Sequence, residues 1–272
     1  MPLYQALVLA IVQGLTEFLP VSSTAHLVLF PWLLGWKDPG LTFDVALHAG
    51  TLVAVLLYFW RYWLDMLRVI LGVGQPENPS LGENRRLFWF LVLATLPAGA
   101  AGWRFEHAAD EQLRSPMIIG VALIVVGLCM WAGERLGSRQ HDLSRVTFLD
   151  SLWVGAAQAL AVIPGVSRSG VTMTAGLFRG MTRETAARFS FLLSTPIIAG
   201  AVLKKGFEIR HEGLPPEMRL PFLLGVIVSG LVGYFVIAVL IRYLERRTFR
   251  IFVVYRLALG VVVLALGWGL RH

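Results

Sequence analysis

Six apolar runs constrain this chain more than any other feature: residues 41 to 60, 87 to 103, 116 to 132, 186 to 203, 221 to 241 and 250 to 270. A helix crosses the hydrocarbon of a bilayer with about 20 mostly apolar residues, so each run is read as one spanning helix. Together they take up so much of the 272 residues that no large domain outside the membrane is left. The chain is 56% hydrophobic and only 15% charged, more apolar surface than a water-soluble fold of this length could bury. Its net charge of +7 would suggest a nucleic-acid partner in a soluble protein. Here the basic residues fall almost entirely between the runs, where they act as orientation signals, and no nucleic acid is expected. The single cysteine, Cys129, lies inside an apolar run and can form no intrachain disulfide. The N-terminal stretch MPLYQALVLAIVQGLTEFLP has no positive start and no small-residue cleavage site, so it is expected to belong to the mature fold.

Two more apolar stretches, 3 to 36 and 148 to 178, are interrupted midway. The first breaks at Pro20 followed by Ser22, Ser23 and Thr24, the second at Pro164 and Gly165 followed by Ser167, Arg168 and Ser169. Irregular backbone at membrane depth survives only where protein or a wet cavity satisfies its polar groups. Both stretches are therefore read as re-entrant helix-turn-helix hairpins that line a cavity. If the first hairpin enters from the non-cytoplasmic side, the loops at 61 to 86, 133 to 147, 179 to 188 and 242 to 250 face the cytoplasm. Those loops carry 14 Lys and Arg against eight on the opposite side, with Arg168 and Arg256 inside apolar runs. The bias favours this orientation, with both termini outside and the second hairpin entering from the cytoplasm.

Opposed hairpins suggest an inverted repeat, and a gapless offset of 145 residues supplies one. It lays Gln13 on Gln158, Leu15 on Leu160, Val21 on Val166, Ser22 on Ser167 and Thr24 on Ser169, and the 41 to 60 run on the 186 to 203 run. The fold class that follows is an all-α polytopic membrane protein: six transmembrane helices plus two re-entrant hairpins in an inverted-topology repeat. The whole chain, 1 to 272, is one integral membrane domain. Repeat one covers about 1 to 132, repeat two about 148 to 272, and a cytoplasmic linker 133 to 147. Inverted repeats place their functional site where the broken hairpins meet near the midplane.

The chemistry at the two breaks fits such a site. Gln13 and Glu17 share a helical face, as do Ser23 and His26, so one hairpin gathers a carboxylate, a hydroxyl and an imidazole. Ser22 and Thr24 serve either a ligand or the free backbone groups of the break. In the second hairpin Arg168 opens a helix amid serines and glycine, where free N–H groups and a planar fork attract phosphate oxygens. An ion pair between Arg168 and Glu17 would also hold the hairpins together. From the residues alone, the constellation reads as a phosphate or diphosphate site inside a membrane protein. Asp44 and His48, four apart, are assigned a helix-helix hydrogen bond; Asp150 is expected to neutralise cytoplasmic basic residues near the second hairpin, and Arg256 to snorkel to the cytoplasmic boundary.

QGLTEFLPVSSTAH at 13 to 26 and PGVSRSGVT at 164 to 172 resemble the two signature motifs of undecaprenyl-diphosphate phosphatases of the bacitracin-resistance type. FDVALHAGT at 43 to 51 and ATLPAG at 94 to 99 are similar too, and the resemblance covers essentially the whole chain. Ala25 stands where that family often has glycine, and Gln13 where it has Glu or Gln. The resemblance implies a multi-pass enzyme of the bacterial plasma membrane, and the charge bias places its site on the non-cytoplasmic side. It would hydrolyse undecaprenyl diphosphate to the monophosphate and inorganic phosphate, recycling the lipid carrier for cell-wall synthesis and conferring bacitracin resistance. Ser22, Thr24, Ser167, Arg168, Ser169, Gly170 and Thr172 would then bind substrate phosphate. Ser23, His26, Glu17 and Arg168 would be catalytic: Ser23 as nucleophile, His26 as its base or as proton donor, and Glu17 orienting His26 or holding a cation. Attack by His26 or by activated water stays open. A weakly held Mg²⁺ or Ca²⁺ is expected at Glu17 and Gln13, completed by substrate oxygens and water. The partners implied are undecaprenyl diphosphate, membrane lipid and a second copy of the chain in a homodimer. The alternative function is a lipid-phosphate flippase or other transporter, which would use the same phosphate cradle but has no need of a nucleophile.

Overall fold

The computed structural model describes residues 1–73, 76–111 and 113–269. In chain order the helices are α1 (Leu3–Phe18), α2 (Ser23–Leu34), α3 (Leu41–Tyr58), α4 (Trp60–Leu71), α5 (Pro79–Glu83) and α6 (Leu87–Glu111). There follow α7 (Pro116–Leu136), α8 (Phe148–Ala159), α9 (Arg168–Phe178), α10 (Arg183–Glu212), α11 (Pro216–Leu244) and α12 (Arg250–Gly269). Two 3₁₀ turns, Leu143–Arg145 and Leu160–Val162, complete the secondary structure, and the described residues contain no strand. Six helices are long and apolar enough to cross a membrane: α3, α6, α7, α10, α11 and α12. They coincide with the six apolar runs. Residue 270, the expected end of the last run, lies outside the described residues.

Helix ends follow local chemistry more than hydropathy. Pro116 sits at the first position of α7, where its missing N–H is no loss. Helix α10 starts at Thr182, whose hydroxyl accepts from Thr185 N at 3.1 Å, and ends with Arg210 and His211 in its last turn. It thus continues past the apolar run that ends at 203, because a capped and charge-complemented helix keeps its backbone bonds outside an apolar stretch. The expected loop 61 to 86 also holds structure: Trp60, Leu64, Leu67 and Leu71 recur at helical spacing and form α4. Asp65 then ties the following segment back, accepting from Arg68 and from the backbone N–H of Glu77 and Asn78.

Apart from α4 and α5, the remaining helices come in two pairs, α1 with α2 and α8 with α9, of 11 to 16 residues each. At a rise of about 1.5 Å per residue none reaches across roughly 30 Å of hydrocarbon. Between α1 and α2 the chain turns over Leu19 to Ser22; between α8 and α9 it passes through the 3₁₀ turn and then Ile163 to Ser167. Each break ends on a serine with positive φ, 77° at Ser22 and 70° at Ser167, an unfavourable conformation for a residue with a side chain. Each of these serines caps the next helix, accepting from Ala25 N at 3.3 Å and from Gly170 N at 3.0 Å.

Arg256 holds these two breaks together. It is fully buried in α12 and, among the described residues, gives its guanidinium to backbone carbonyls: Pro20 in the first break at 3.1 Å, Gly165 at 2.8 Å and Val166 at 3.1 Å in the second. Longer bonds reach Leu123 and Ala122 of α7. The expectation that it snorkels to a boundary is therefore corrected: the side chain points inward, because the breaks release carbonyls that no helix can satisfy.

Close backbone approach sets the long contacts. A Cβ on Gly50 of α3 would meet the Val226 carbonyl and Ser229 Oγ of α11, and Ser229 donates to Leu47 O at 2.9 Å. A Cβ on Gly155 of α8 would come within 2.6 Å of Ala94 O on α6. Small residues at such crossings are the membrane solution to helix association. A ring cluster of Phe18, Phe59 and Phe191 fills the centre and fixes α1 against α3 and α10. Asp150 pairs with Arg179 at 2.6 Å, the neutralising role expected of it.

Replacing Arg256 by Met should strand carbonyls in both breaks, at about 1–3 kcal/mol for each one left without a donor. Thermal unfolding in detergent should show a marked drop in midpoint, partly restored in Arg256→Lys. An Arg256→Met protein as stable as the parent would contradict the clamp.

Candidate active site

Glu17 is the last acidic residue of α1, one turn after Gln13 and just before the break, and it is 5% exposed. A buried carboxylate must be met by donors or charge, and four side chains from four segments meet this one. Ser23, first in α2, donates from Oγ to Glu17 Oε2 at 2.5 Å. Gln13 Nε2 donates to the same oxygen at 3.1 Å. His48 Nε2 of α3 stands 3.4 Å from it. On the other oxygen, Oε1, Arg168 of α9 forms an ion pair through Nη2. The two breaks thus meet at one carboxylate, and the sequence-level ion pair between Arg168 and Glu17 is present.

Arg168 keeps capacity for a ligand. Among the described residues its Nη1 reaches the Ser194 carbonyl at 3.5 Å and no other acceptor, and its side chain is 16% exposed beside a nearly closed Glu17. His48 is held from behind, its Nδ1 donating to Asp44 O at 2.7 Å. With Nε2 facing a carboxylate as well, both ring nitrogens look onto acceptors, which suits the imidazolium. The helix-helix hydrogen bond assigned to Asp44 and His48 takes a more specific form: Asp44 pairs with Arg114 at 3.0 Å, while His48 reaches Glu17.

Other sequence-level candidates divide by what their hydroxyls already bind. Ser22 lies 3.2 Å from Thr24 Oγ1, and Ser167 lies 3.2 Å from Ser169 Oγ, so the two capping serines carry matching side-chain pairs. Ser169 also donates across the breaks to Leu19 O at 3.0 Å and Glu17 O at 3.3 Å. A Cβ on Gly170 would sit 3.1 Å from Arg256 Nη1, so a glycine there lets the clamp approach. Thr172 does not join the cluster: its hydroxyl is 2.7 Å from Ser190 Oγ on α10 and donates to Arg168 O at 2.7 Å. It buttresses the first turn of α9.

His26 stands apart from Glu17 and Ser23. Its Nδ1 donates to Ser22 O at 2.6 Å, and its Nε2 accepts from the Tyr255 hydroxyl at 2.6 Å. The expectation that Glu17 orients His26, or that His26 contacts Ser23 as its base, is corrected accordingly: the partner of Ser23 is Glu17. The capping geometry is the reason, because it points the α2 first-turn imidazole back at its own Ser22 carbonyl and toward α12. His48, Tyr255 and Arg256 complete the site although sequence reasoning gave them none of these tasks. The signal that could have found His48 and Arg256 is the presence of an ionisable group inside an apolar run.

For a hard cation the donor set is thin. Among the described residues no cluster of three His, Cys, Asp or Glu side chains exists, and both Glu17 oxygens already face donors. Gln13 Oε1, however, is buried without a hydrogen-bond partner next to Glu17. The protein alone supplies one carboxylate and one amide oxygen, which suits a cation carried chiefly by its phosphate ligands.

The family described as bacitracin resistance protein BacA matches residues 6–262. A protein of Moorella thermoacetica named undecaprenyl-diphosphatase is 49% identical over 269 residues, 98% of this chain and 99% of the relative. Proteins of the same name from Desulforudis audaxviator and Pelotomaculum thermopropionicum are 49% and 48% identical, each alignment covering 97% of the relative and, respectively, 97% and 98% of this chain. On these matches, the chain belongs to the BacA bacitracin resistance protein family.

Proposed function

We propose that the chain hydrolyses undecaprenyl diphosphate to undecaprenyl phosphate and inorganic phosphate. Its family membership and the name shared by its relatives support this substrate. The observation that carries the mechanism is the Ser23 hydroxyl donating to Glu17, which is paired in turn with Arg168. Ser23 Oγ attacks the terminal phosphorus while its proton passes to Glu17 Oε2. Undecaprenyl phosphate leaves as the P–O bond opposite Ser23 breaks. Loss of charge on Glu17 frees Arg168 to bind the equatorial oxygens, where a planar fork stabilises developing negative charge. Water then cleaves the phosphoserine: Glu17 returns its proton to the Ser23 oxygen as the bond to phosphorus breaks, and the water's second proton leaves on inorganic phosphate. A Mg²⁺ or Ca²⁺ arriving on the diphosphate, held by Glu17 and Gln13 Oε1, would share the phosphate charge. A flippase would use Arg168 but leave the Ser23 contact without purpose.

The two short helix pairs form re-entrant hairpins related by an inverted repeat. Three observations support this: their lengths, the matching capped serines at the breaks, and the packing of α1 on α11 while α8 packs on α6. The bias of basic residues supports a site that opens to the non-cytoplasmic side of the plasma membrane, where diphosphate released by wall synthesis collects.

Three measurements test these readings. Arg168→Lys should lose at least about a hundredfold in kcat/KM for phosphate release, since a point charge cannot replace the fork; near-normal turnover would refute the cradle. Chelators should suppress activity reversibly with the fold intact, whereas a metal that survives prolonged chelation would contradict a substrate-borne cation. In a Cys129→Ser background, Lys37→Cys should react with a membrane-impermeant thiol reagent on intact cells and Asn78→Cys should not. The reverse pattern would place the site on the cytoplasmic side.

A further inference from the structure

The segment that ends α11 carries three arginines, Arg242, Arg246 and Arg247, which line a cavity of about 390 Å³ together with Ala238, Val239 and Tyr243. Several arginines elsewhere are answered by acids: Arg139 and Arg183 meet Glu134, Arg179 meets Asp150, and Arg188 meets Glu184. Among the described residues the guanidiniums of Arg242, Arg246 and Arg247 have no ion pair and no hydrogen-bond acceptor. Glu245 falls between them in sequence but does not line the cavity. Three like charges around one space repel one another until an anion joins them. The walls are fixed. The backbone N–H groups of Arg246 and Arg247 both donate to Tyr243 O, at 3.2 and 2.9 Å, so one turn carries both arginines. Tyr243 in turn donates its hydroxyl to Thr248 O at 3.3 Å and packs edge-on against Phe252 of α12, with ring centroids 5.9 Å apart. Leu231, Phe235 and Val239 precede Arg242 at spacings of four, four and three, which puts all four on one face of α11. The three apolar side chains are 60, 67 and 69% exposed, on a helix long and apolar enough to cross a membrane.

We propose that this cavity binds an anionic membrane phospholipid, its head phosphate held between Arg242, Arg246 and Arg247 and one acyl chain lying along Val239, Phe235 and Leu231. Guanidinium forks bond phosphate oxygens in pairs, and basic clusters at the end of a spanning helix attract acidic lipid. Free inorganic phosphate meets the arginines but gains nothing from the apolar strip. A zwitterionic lipid gains the strip but brings an ammonium that the guanidiniums repel. Strip and charge together therefore select a lipid with a net negative head. None of these residues belongs to the candidate active site, so the lipid site stands independently of the hydrolytic reading.

The three arginines are exposed, and Arg242→Gln/Arg246→Gln/Arg247→Gln should fold. Purified parent and variant in detergent are titrated with phosphatidylglycerol or with phosphatidylcholine of the same chains, reading bound lipid by native mass spectrometry and the thermal midpoint without lipid. Arg85→Gln/Arg86→Gln, from another basic loop, is the control. The parent should bind phosphatidylglycerol at least about tenfold more tightly than phosphatidylcholine; the triple variant should lose that preference and the control should keep it. Should the triple variant unfold, Arg246→Gln/Arg247→Gln, both beyond the last turn of α11, must weaken phosphatidylglycerol binding by at least about threefold. A parent without the preference, a folded variant that retains it, or an equal loss in the control overturns the proposal. Displacement of phosphatidylglycerol by millimolar inorganic phosphate also overturns it, since the arginines would then serve the free ion.

Discussion

Everything in this structure depends on how broken backbone is satisfied inside an apolar protein. Two helical stretches are interrupted, and where protein surrounds the interruptions the carbonyls they expose need a donor from the protein itself. One guanidinium supplies it for both. Arg256 donates to Pro20 in the first break and to Gly165 and Val166 in the second, and among the described residues it pairs with no carboxylate. A planar fork with five N–H donors can serve carbonyls from several directions at once, which an ammonium on a flexible stem cannot. Because the acceptors lie on different breaks, the same bonds that satisfy the backbone also set the breaks in register.

That register decides the chemistry. Glu17 comes from the end of one broken helix and Arg168 from the start of another, 151 residues later in the chain. Burying a lone carboxylate would be strongly unfavourable, yet here two hydrogen-bond donors and two nitrogen bases or cations surround it. The consequence is a carboxylate kept ionised while already bonded to a hydroxyl, the arrangement that an activated nucleophile requires. Burial also concentrates the field of Arg168 on whatever anion enters, since little water screens it.

Much of this was legible in the linear sequence, and the reasons differ by residue. The six spans are readable because length and hydropathy alone define them. The breaks are readable because proline or glycine followed by serines cannot continue a helix, and Glu17 and Arg168 stand out because charge is rare in apolar runs. The tasks of His26, His48 and Arg256 were not readable. His26 shares a helical face with Ser23, and that spacing suggests contact between them; the cap at Ser22 turns the imidazole toward α12 instead. Arg256 looks like an ordinary snorkelling arginine until α12 is placed against the breaks, a contact that spans 236 residues of sequence. Tyr255 lies 229 residues from its partner and belongs to no motif. Thr172 shows the converse, a residue inside a motif whose hydroxyl is spent on holding α9 to α10.

The central claim is that Ser23, with Glu17 as its base, attacks phosphorus directly. The stereochemical course at the transferred phosphorus tests it without trapping an intermediate, because each in-line displacement inverts the centre. A substrate analogue made chiral at its terminal phosphorus with sulfur and oxygen isotopes would be turned over by the purified protein in isotopic water. Attack by Ser23 followed by water is two inversions, so the released thiophosphate should show net retention. Net inversion would mean that water attacks in a single step and that Ser23 is not the nucleophile.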